Sequence, residues 1–367
     1  MKGVRQYFWM LAANAAICAY WVYYRSVCNV QRLPYPHFLV DYSFGFTRRA
    51  LIGQIVSFFY PQVPITVVFV SATITLVCAI ALYLLLFRRD FGFTRASLPL
   101  LVLIVGSPFF FKNFFYNLGY FDALGCIAAI IALLLPVNRL YPALLAAAAI
   151  VLILIHHIQF LLYVPTIAAI GIIRYVIVPR RFGIAPIAYL CVAATAVLAA
   201  FTVVVFHGDP QVPRDVFLAH MKARALDPFA EYFVQVWYST PQEEFQATLQ
   251  KLPRNLVGIP AYILLVLAHW PLLEFYRGKL RALADRDHRR IVVAMLGAIA
   301  LGYLGIFAMV FDYSRWVSSW AICMVLMLHA ISRLPSAAER SIEDAPRTRG
   351  FAWLVTLIPR IGTVRPF

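Results

Sequence analysis

Charged residues are scarce in this 367-residue chain: they make up 13% of it, whereas hydrophobic residues make up 63%. A soluble domain usually carries about 25% charged residues. Segments such as Pro64–Phe87 and Gly183–Phe206 contain no Asp, Glu, Lys or Arg, and each is long enough to cross roughly 30 Å of hydrocarbon as a helix. Because these segments are apolar on every face, membrane strands with alternating polarity are disfavoured. The sequence therefore predicts an all-α, polytopic integral membrane protein.

Paired cysteines and internal repeats are also lacking. The six cysteines form no CxxC pair, so neither a disulfide framework nor a zinc site is indicated. The absence of a repeat weighs against the transporters that are built from inverted repeats. The net charge of +16 could suggest nucleic-acid binding, but most basic residues lie between the apolar segments. They are better explained as topology signals and contacts to anionic lipids, so no nucleic-acid partner is expected.

The apolar segments predict about ten crossings, at approximately 7–24, 64–87, 97–111, 122–136, 141–157, 158–178, 183–206, 256–276, 291–311 and 316–332. Almost no loop separates 141–157 from 158–178, and one long crossing is the alternative to a hairpin. A single crossing would invert every later segment and turn the basic block 277–290 outward. The positive-inside rule disfavours that arrangement, so we predict the hairpin.

The distribution of basic residues predicts the orientation. Lys2 and Arg5 place the N-terminus inside, and with ten crossings 21 of the 32 Lys and Arg fall on the inner side and 11 on the outer side. We therefore predict a multi-pass protein of the bacterial inner (plasma) membrane with both termini cytoplasmic. Its transmembrane domain is 1–332, with an extracytoplasmic loop at 207–255 between the seventh and eighth helices, and its cytoplasmic tail is 333–367.

Two short apolar segments are predicted to lie in the membrane interface rather than to cross it. Ala50–Tyr60 is too short to span and is ended by Pro61, and Phe351–Pro359 in the tail is framed by arginines. The 49-residue loop His207–Asn255 is long enough to fold as a cap over the other outer loops.

Acidic residues number only 16, and none falls in the middle of a predicted crossing. Ion-coupled carriers usually place ionisable groups near the bilayer midplane, so a transporter is disfavoured. The short outer loops hold three acids, Asp41, Asp122 and Asp312, each beside basic or aromatic residues. These loops are where the sequence predicts the chemistry.

The first outer cluster is Asp41 with Arg48 and Arg49. A carboxylate can act as general base toward a hydroxyl, and an arginine can hold a phosphate through two hydrogen bonds. In the alternative interpretation, the arginines anchor an interfacial helix to lipid headgroups and Asp41 caps a turn. Both interpretations stay open for the arginines. A functional role is favoured for Asp41, because it stands alone in an aromatic, apolar loop.

Two further clusters combine a charge with aromatic residues. Lys112 precedes Asp122, which opens a helix; Asp122 either caps that helix or acts chemically, and Lys112 either binds phosphate or snorkels. Asp312, Arg315 and Trp316 lie between the last two crossings. Asp312 and Arg315 are three residues apart and could form an ion pair on one helical turn, while Trp316 could stack against a sugar.

The fourth cluster is His156, His157 and Gln159, at the outer end of the predicted hairpin. Adjacent histidines point to different faces of a helix, and no acid lies near them in sequence. A shared metal is therefore not expected, and contacts to phosphate or sugar are preferred.

All four clusters fall on one membrane face, and in this they resemble polytopic bacterial glycosyltransferases of the GT-C class, which use polyprenyl-phosphate-linked sugars. The resemblance implies that Asp41 is the acidic residue of the first outer loop and the general base. It implies that Arg48, Arg49, His156 and Arg315 hold the lipid phosphate, with the lipid tail in a groove between helices. The chain is short for the class and has no DxD or Glu-Asp pair around Asp41. This favours a metal-independent transfer without a cofactor, although use of a divalent metal stays open.

The expected function is thus transfer of a sugar from a polyprenyl-phosphate donor to a cell-envelope glycan or lipid acceptor on the outer face. The partners are the donor, the acceptor and membrane lipids. Three alternatives stay open. A Wzy-type polysaccharide polymerase or ligase would use a donor carrying a glycan chain. A lipid or glycan transporter would move its cargo without covalent change, and a structural partner of an envelope assembly would tolerate substitution of the outer clusters.

Overall fold

The structure is a computed structural model that describes residues 2–30, 32–257, 259–309, 312–334 and 349–357. About 75% of the chain is helical, and the described residues form no strand. Within these described ranges, five helices are long and apolar enough to cross a membrane: Thr66–Phe91, Gln159–Ile177, Ile184–His207, Arg286–Ala308 and Tyr313–Ile331. The all-α class is confirmed, and the number of ten crossings stays a prediction.

The described α-helices are numbered here in chain order. They are α1 (Lys2–Tyr23), α2 (Pro36–Leu39), α3 (Leu51–Ser57), α4 (Thr66–Phe91), α5 (Leu98–Gly106), α6 (Lys112–Tyr116), α7 (Asp122–Leu134), α8 (Tyr141–Ile155), α9 (Gln159–Leu162), α10 (Val164–Ile172), α11 (Ile184–His207), α12 (Arg214–Arg224), α13 (Gln235–Tyr238), α14 (Pro241–Leu256), α15 (Ile259–Ala268), α16 (Trp270–Arg281), α17 (Arg286–Met309), α18 (Tyr313–Ile331) and α19 (Arg349–Leu357).

The helices α8 and α10 are antiparallel, so the chain has the hairpin predicted between 141 and 178. The ring of Tyr141, at the start of α8, stacks on that of Tyr175, just beyond the end of α10, with centroids 6.3 Å apart. The reversal takes place at His156–Ile158, where α8 ends and α9 has not begun. Gly125 of α7 packs closely on this hairpin, because an added Cβ would lie 2.3 Å from the ring of Tyr163.

The ends of the long helices lie on two faces of the molecule. One face, called the site face, contains the start of α4 and α7, the end of α8 and the loop that holds Asp41. The other, called the opposite face, contains the end of α4 and the start of α8. There Arg174, beyond α10, donates a hydrogen bond to the hydroxyl of Tyr141, and Asp90 of α4 contacts His329 of α18. Asp90 belongs to the segment 88–96, which the sequence predicts to be cytoplasmic.

Two predicted crossings are shorter than expected. The segment 97–111 contains α5, whose nine residues reach only about 14 Å and end before Pro108. The segment 256–276 is divided at His269 into α15 and α16, and Pro271 lies in the first turn of α16. The two breaks meet, because the imidazole Nε2 of His269 lies 3.1 Å from the Ser107 hydroxyl oxygen. Proline at these positions explains why a continuous apolar run does not give a continuous helix.

The two segments predicted to be interfacial are both helical, but only in part. Ala50–Tyr60 contains the seven-residue α3. Residues 351–357 of the tail segment belong to α19, where Leu354 and Val355 are buried and Trp353 is exposed. The helix α19 packs against α5 and α16, so one of its sides is covered by protein. Pro359 lies outside the described residues.

The orientation of the chain can be tested with reporter fusions. We expect a fusion at Gly208 to be active outside the cytoplasm and a fusion at Ala284 to be active inside it, because the charge distribution places the opposite face in the cytoplasm. A periplasm-dependent and a cytoplasm-dependent reporter at each position make the measurement. External activity at Ala284 would reverse the assignment of both faces.

Candidate functional site

The loop that contains the first cluster is held by the segment 208–240, called the cap. The Val63 amide donates to the Arg224 carbonyl at 2.7 Å, and the Arg48 amide donates to the Gly208 carbonyl at 2.6 Å. The Trp237 indole also donates to the Arg48 carbonyl at 2.9 Å. Because these bonds join positions far apart in sequence, the loop 35–63 and the cap form one unit.

Arg48 is committed to this unit. Its guanidinium donates to the carbonyls of Val236, Trp237 and Ser239 at 2.9 to 3.3 Å and pairs with Asp209 at 3.4 Å. Three backbone acceptors use donors that a phosphate would otherwise need. The contacts therefore give Arg48 a structural part in holding the cap, and its predicted phosphate contact has no support from them.

Asp41 also joins the loop to the cap. One carboxylate oxygen accepts from Arg224 at 2.7 Å, and the other lies 3.1 Å from His220 and 3.0 Å from the Ser43 amide. Burial would raise the pKa of Asp41, but the hydrogen bonds from His220 and Ser43 outweigh it and hold the pKa well below its usual range. A carboxylate held so strongly in its ionised form is a weak proton acceptor, so these contacts do not favour Asp41 as the predicted base.

Three histidines meet on the site face: His37 is buried, and His156 and His157 are half-buried. The ring of His37, in α2, lies 5.8 Å from that of His156, and His156 lies 5.6 Å from His157. Burial and the positive charge of Arg49 lower the pKa of all three well below its usual value, so they are neutral at pH 7. In the described part of the chain, the Nδ1 atoms of His37 and His157 are buried without a hydrogen-bond partner.

Arg49 is the cation that these histidines share. It is buried, and within the described ranges its Nε has no hydrogen-bond partner. Burial is the main cause that lowers the pKa of Arg49 to about 10. The charge of Glu244 opposes this shift, and the charges of Arg48 and Arg315 add to it. Arg49 is therefore still a cation at neutral pH. Its backbone is held at φ +63°, a conformation that costs a non-glycine residue of order 1 kcal/mol and that clusters at functional sites.

Arg315 lies between two carboxylates. Its Nε is 2.8 Å from Asp122 and its Nη1 is 3.2 Å from Asp312, so the predicted pair on one helical turn is present. The guanidinium also lies 4.5 Å from the ring centroid of Tyr120 and 4.0 Å from that of Trp316. Asp122 opens α7 but makes no capping hydrogen bond, because its carboxylate is turned to Arg315. The charge of Arg315 still reaches the histidines, since it lowers the pKa of His37 and His156.

An apolar pocket of about 210 Å³ lies beside the ion pair of Arg315 and Asp122. It is formed between α3, α4 and the segment 114–124. Phe121 lines the pocket on one side, and its ring lies 5.4 Å from that of His37 on the other. Asp122 lines the same pocket, whereas Asp41 does not. The site therefore combines a buried polar compartment with an apolar one, and Phe121 lies between them.

Of the remaining predicted residues, one lies with the histidines and two do not have the predicted surroundings. Gln159 belongs to the histidine compartment: it donates to the Phe121 carbonyl at 3.3 Å, and its own oxygen is buried with no partner among the described residues. Trp316 is almost fully buried, which leaves its ring no free face for a sugar in this conformation. Lys112 is fully buried in the hydrophobic core close to Cys18 of α1, apart from the histidines.

No family model, curated protein or solved structure matches the chain. The described residues contain no group of three or more His, Cys, Asp or Glu that could hold a metal ion. What the arrangement offers is a buried cation, three neutral imidazoles and unpaired polar atoms, which together suit an anion.

His37 was not predicted from the sequence, although a signal was present. It lies four residues before Asp41 in the same outer loop, within Leu33-Pro-Tyr-Pro-His37, and two prolines fix the backbone that carries it. Arg224 and His220 lie in the long loop 207–255, but their pairing with Asp41 spans about 180 positions and leaves no local signal.

Because the pKa values of His37, His156 and His157 are lowered, we predict that acid destabilises the protein. An unfolded histidine has a pKa near 6.5, and His37, His156 and His157 titrate lower in the folded chain. Below about pH 6.5 the unfolded chain binds more protons, so each site lowers the free energy of unfolding by up to about 1.4 kcal/mol per pH unit. We expect the melting temperature to fall between pH 7.5 and 5.5, and His156→Gln to reduce the slope. An unchanged slope in that variant would contradict the prediction.

Proposed function

We propose that this protein is a membrane glycosyltransferase that moves a sugar from a polyprenyl-phosphate-linked donor to a glycan or lipid acceptor. The observation that carries the proposal is the group formed by the buried Arg49 and His37 with the half-buried His156 and His157, beside an apolar pocket. An anionic headgroup attached to an apolar chain has the polarity of these two adjoining compartments. The resemblance of the outer clusters to GT-C enzymes points to the same substrate class.

The leaving phosphate would bind Arg49 and the histidine nitrogens. These donors are buried, so each hydrogen bond to an anion is stronger than it would be in water. Arg315 would contribute after giving up part of its contact with Asp122, which lies 2.8 Å from it. The polyprenyl chain would lie in the pocket beyond Phe121.

The transfer step needs a proton acceptor and a charge stabiliser. The acceptor hydroxyl would lose its proton to a carboxylate as its oxygen bonds to the anomeric carbon of the sugar. The bond between that carbon and the phosphate oxygen breaks, and its electron pair stays on the polyprenyl phosphate. Basic groups placed where this negative charge develops lower the barrier.

Two carboxylates are candidates for the base, and the contacts favour Asp122 over Asp41. Asp122 lines the pocket and adjoins Arg315, whose charge also acts on the histidines. Asp41 is engaged by Arg224 and His220 of the cap. We therefore propose Asp122 as the base, and Asp41 as the residue that positions the loop carrying Arg49.

Binding of the lipid phosphate can be tested without knowing the sugar. We expect polyprenyl phosphate, at about 100 times its dissociation constant, to stabilise the purified protein by roughly 2.7 kcal/mol. The matching polyprenol, which lacks the phosphate, should stabilise it less, and Arg49→Gln should remove the difference. Equal effects of the two lipids on the unmodified protein would argue against a phosphate site here.

A further inference from the structure

Three arginines from separate parts of the chain lie on the opposite face. They are Arg89 at the end of α4, Arg174 just beyond α10, and Arg333 just beyond α18. Asp90 joins two of them: Arg89 Nε lies 3.0 Å from one carboxylate oxygen, and Arg333 Nη2 contacts the same oxygen. The other oxygen lies 2.9 Å from His329 Nδ1. Both oxygens of this carboxylate are therefore occupied.

Positive charge exceeds negative charge in this cluster. Among the salt bridges of the described residues, Arg174 has no carboxylate partner; it donates to the Ala132 carbonyl and the Tyr141 hydroxyl instead. Its charge interacts unfavourably with those of Arg89 and Arg333. Three guanidiniums against one carboxylate leave an excess of two positive charges.

A topology signal alone does not explain this arrangement. Arginines that only orient a membrane protein need to lie in a loop on the correct side, as the exposed Arg180 and Arg181 do. Arg174, in contrast, is only 8% exposed, and in the part of the chain that is described the Nε of Arg333 is buried without a hydrogen-bond partner. Placing a buried cation among other positive charges costs free energy unless an anion offsets it.

We propose that Arg89, Arg174 and Arg333 bind a phosphate group on the opposite face, in the headgroup of an anionic phospholipid. Guanidinium groups match phosphate oxygens through paired hydrogen bonds, and basic pockets at the ends of transmembrane helices suit lipid headgroups. Arg89 and Arg333 are partly exposed, with side chains 33% and 26% accessible, which gives a ligand a route to the buried Arg174. A soluble phosphate would satisfy the same donors and is the other source of this chemistry.

The test compares lipids retained by the purified protein. In nanodiscs containing equal amounts of phosphatidylglycerol and phosphatidylcholine, native mass spectrometry should find phosphatidylglycerol enriched on the unmodified protein. Each arginine near a membrane surface contributes roughly fivefold to such binding. Arg89→Gln should therefore lower the enrichment about fivefold. The contacts of Arg333 and His329 with the Asp90 carboxylate should remain in this variant. The double variant Arg180→Gln with Arg181→Gln, which removes exposed charge from the same face, should keep it.

Further results decide the proposal. Equal retention of the two lipids by the unmodified protein, or enrichment unchanged in Arg89→Gln, would overturn the lipid site. Stabilisation of the delipidated protein by inorganic phosphate, absent in Arg89→Gln and without any preference between lipids, would assign the site to a soluble anion instead. Arg49→Gln should leave phosphatidylglycerol enrichment unchanged, so failure of the glycosyltransferase proposal and failure of this one are distinguishable.

Discussion

Replacing Arg49 by glutamine is expected to lower sugar transfer about 10²- to 10³-fold, the usual loss when one buried donor to a developing negative charge is removed. Arg49 is the buried cation that the three histidines share, and among the described residues its Nε has no partner. Glutamine keeps a hydrogen-bonding group but carries no charge. The measurement is the initial rate of transfer by purified protein, with insertion and melting temperature recorded for each variant.

Two companion variants separate loss of the charge from loss of the fold. Arg49→Gly suits the left-handed backbone at φ +63°, so it should be folded and yet as inactive as the glutamine variant. Arg214→Gln removes an exposed arginine from α12 of the cap and should keep full activity. Normal turnover by Arg49→Gly would show that the guanidinium at this position is not part of the phosphate site.

Asp122→Asn is expected to lower turnover about 10²- to 10⁴-fold, because asparagine cannot accept the proton of the acceptor hydroxyl. Asparagine is close in size and retains a polar contact to Arg315 across the present 2.8 Å. The pH dependence of the remaining activity should also lose the limb that reports ionisation of the base.

Asp41→Asn is the matched comparison, and a different kind of loss is expected. It leaves Arg224 buried without its charged partner, and breaking a buried ion pair costs roughly 3 kcal/mol. We therefore expect a lower melting temperature together with a smaller loss of turnover in the fraction that stays folded. A stable Asp41→Asn protein without activity, beside an active Asp122→Asn protein, would return the role of base to Asp41.

The class of the protein could be predicted from the sequence because apolar length is a local property. Thr66–Phe91 and Ile184–His207 are continuous hydrophobic helices, and their boundaries follow the apolar runs closely. The shortened α5 and the division at His269 were not predicted. Prolines at 108 and 271 were visible, but whether a membrane helix tolerates a proline depends on neighbours that satisfy the freed backbone groups.

The candidate site could be predicted only in part. Arg48, Arg49, His156 and Arg315 were expected to hold one phosphate between them. The charges of Arg49 and Arg315 both lower the pKa of His156, and the charge of Arg315 lowers that of Arg49. Arg48 and Asp41 bond to the cap instead of joining the histidines. The sequence could not show this, because the cap contacts the loop only in the folded protein. The cluster of Arg89, Asp90 and Arg333 was hidden for the same reason, since α4 and α18 are separated by more than 200 residues.

The most direct test of the account is incubation of the purified protein with radiolabelled polyprenyl-phosphate sugars and a membrane-glycan or lipid acceptor. The account predicts that label passes to the acceptor while polyprenyl phosphate is released in equal amount, and that Arg49→Gln and Asp122→Asn abolish both. If the label instead crosses the bilayer of a reconstituted vesicle with the donor chemically unchanged, the protein is a transporter and the proposed transfer is wrong.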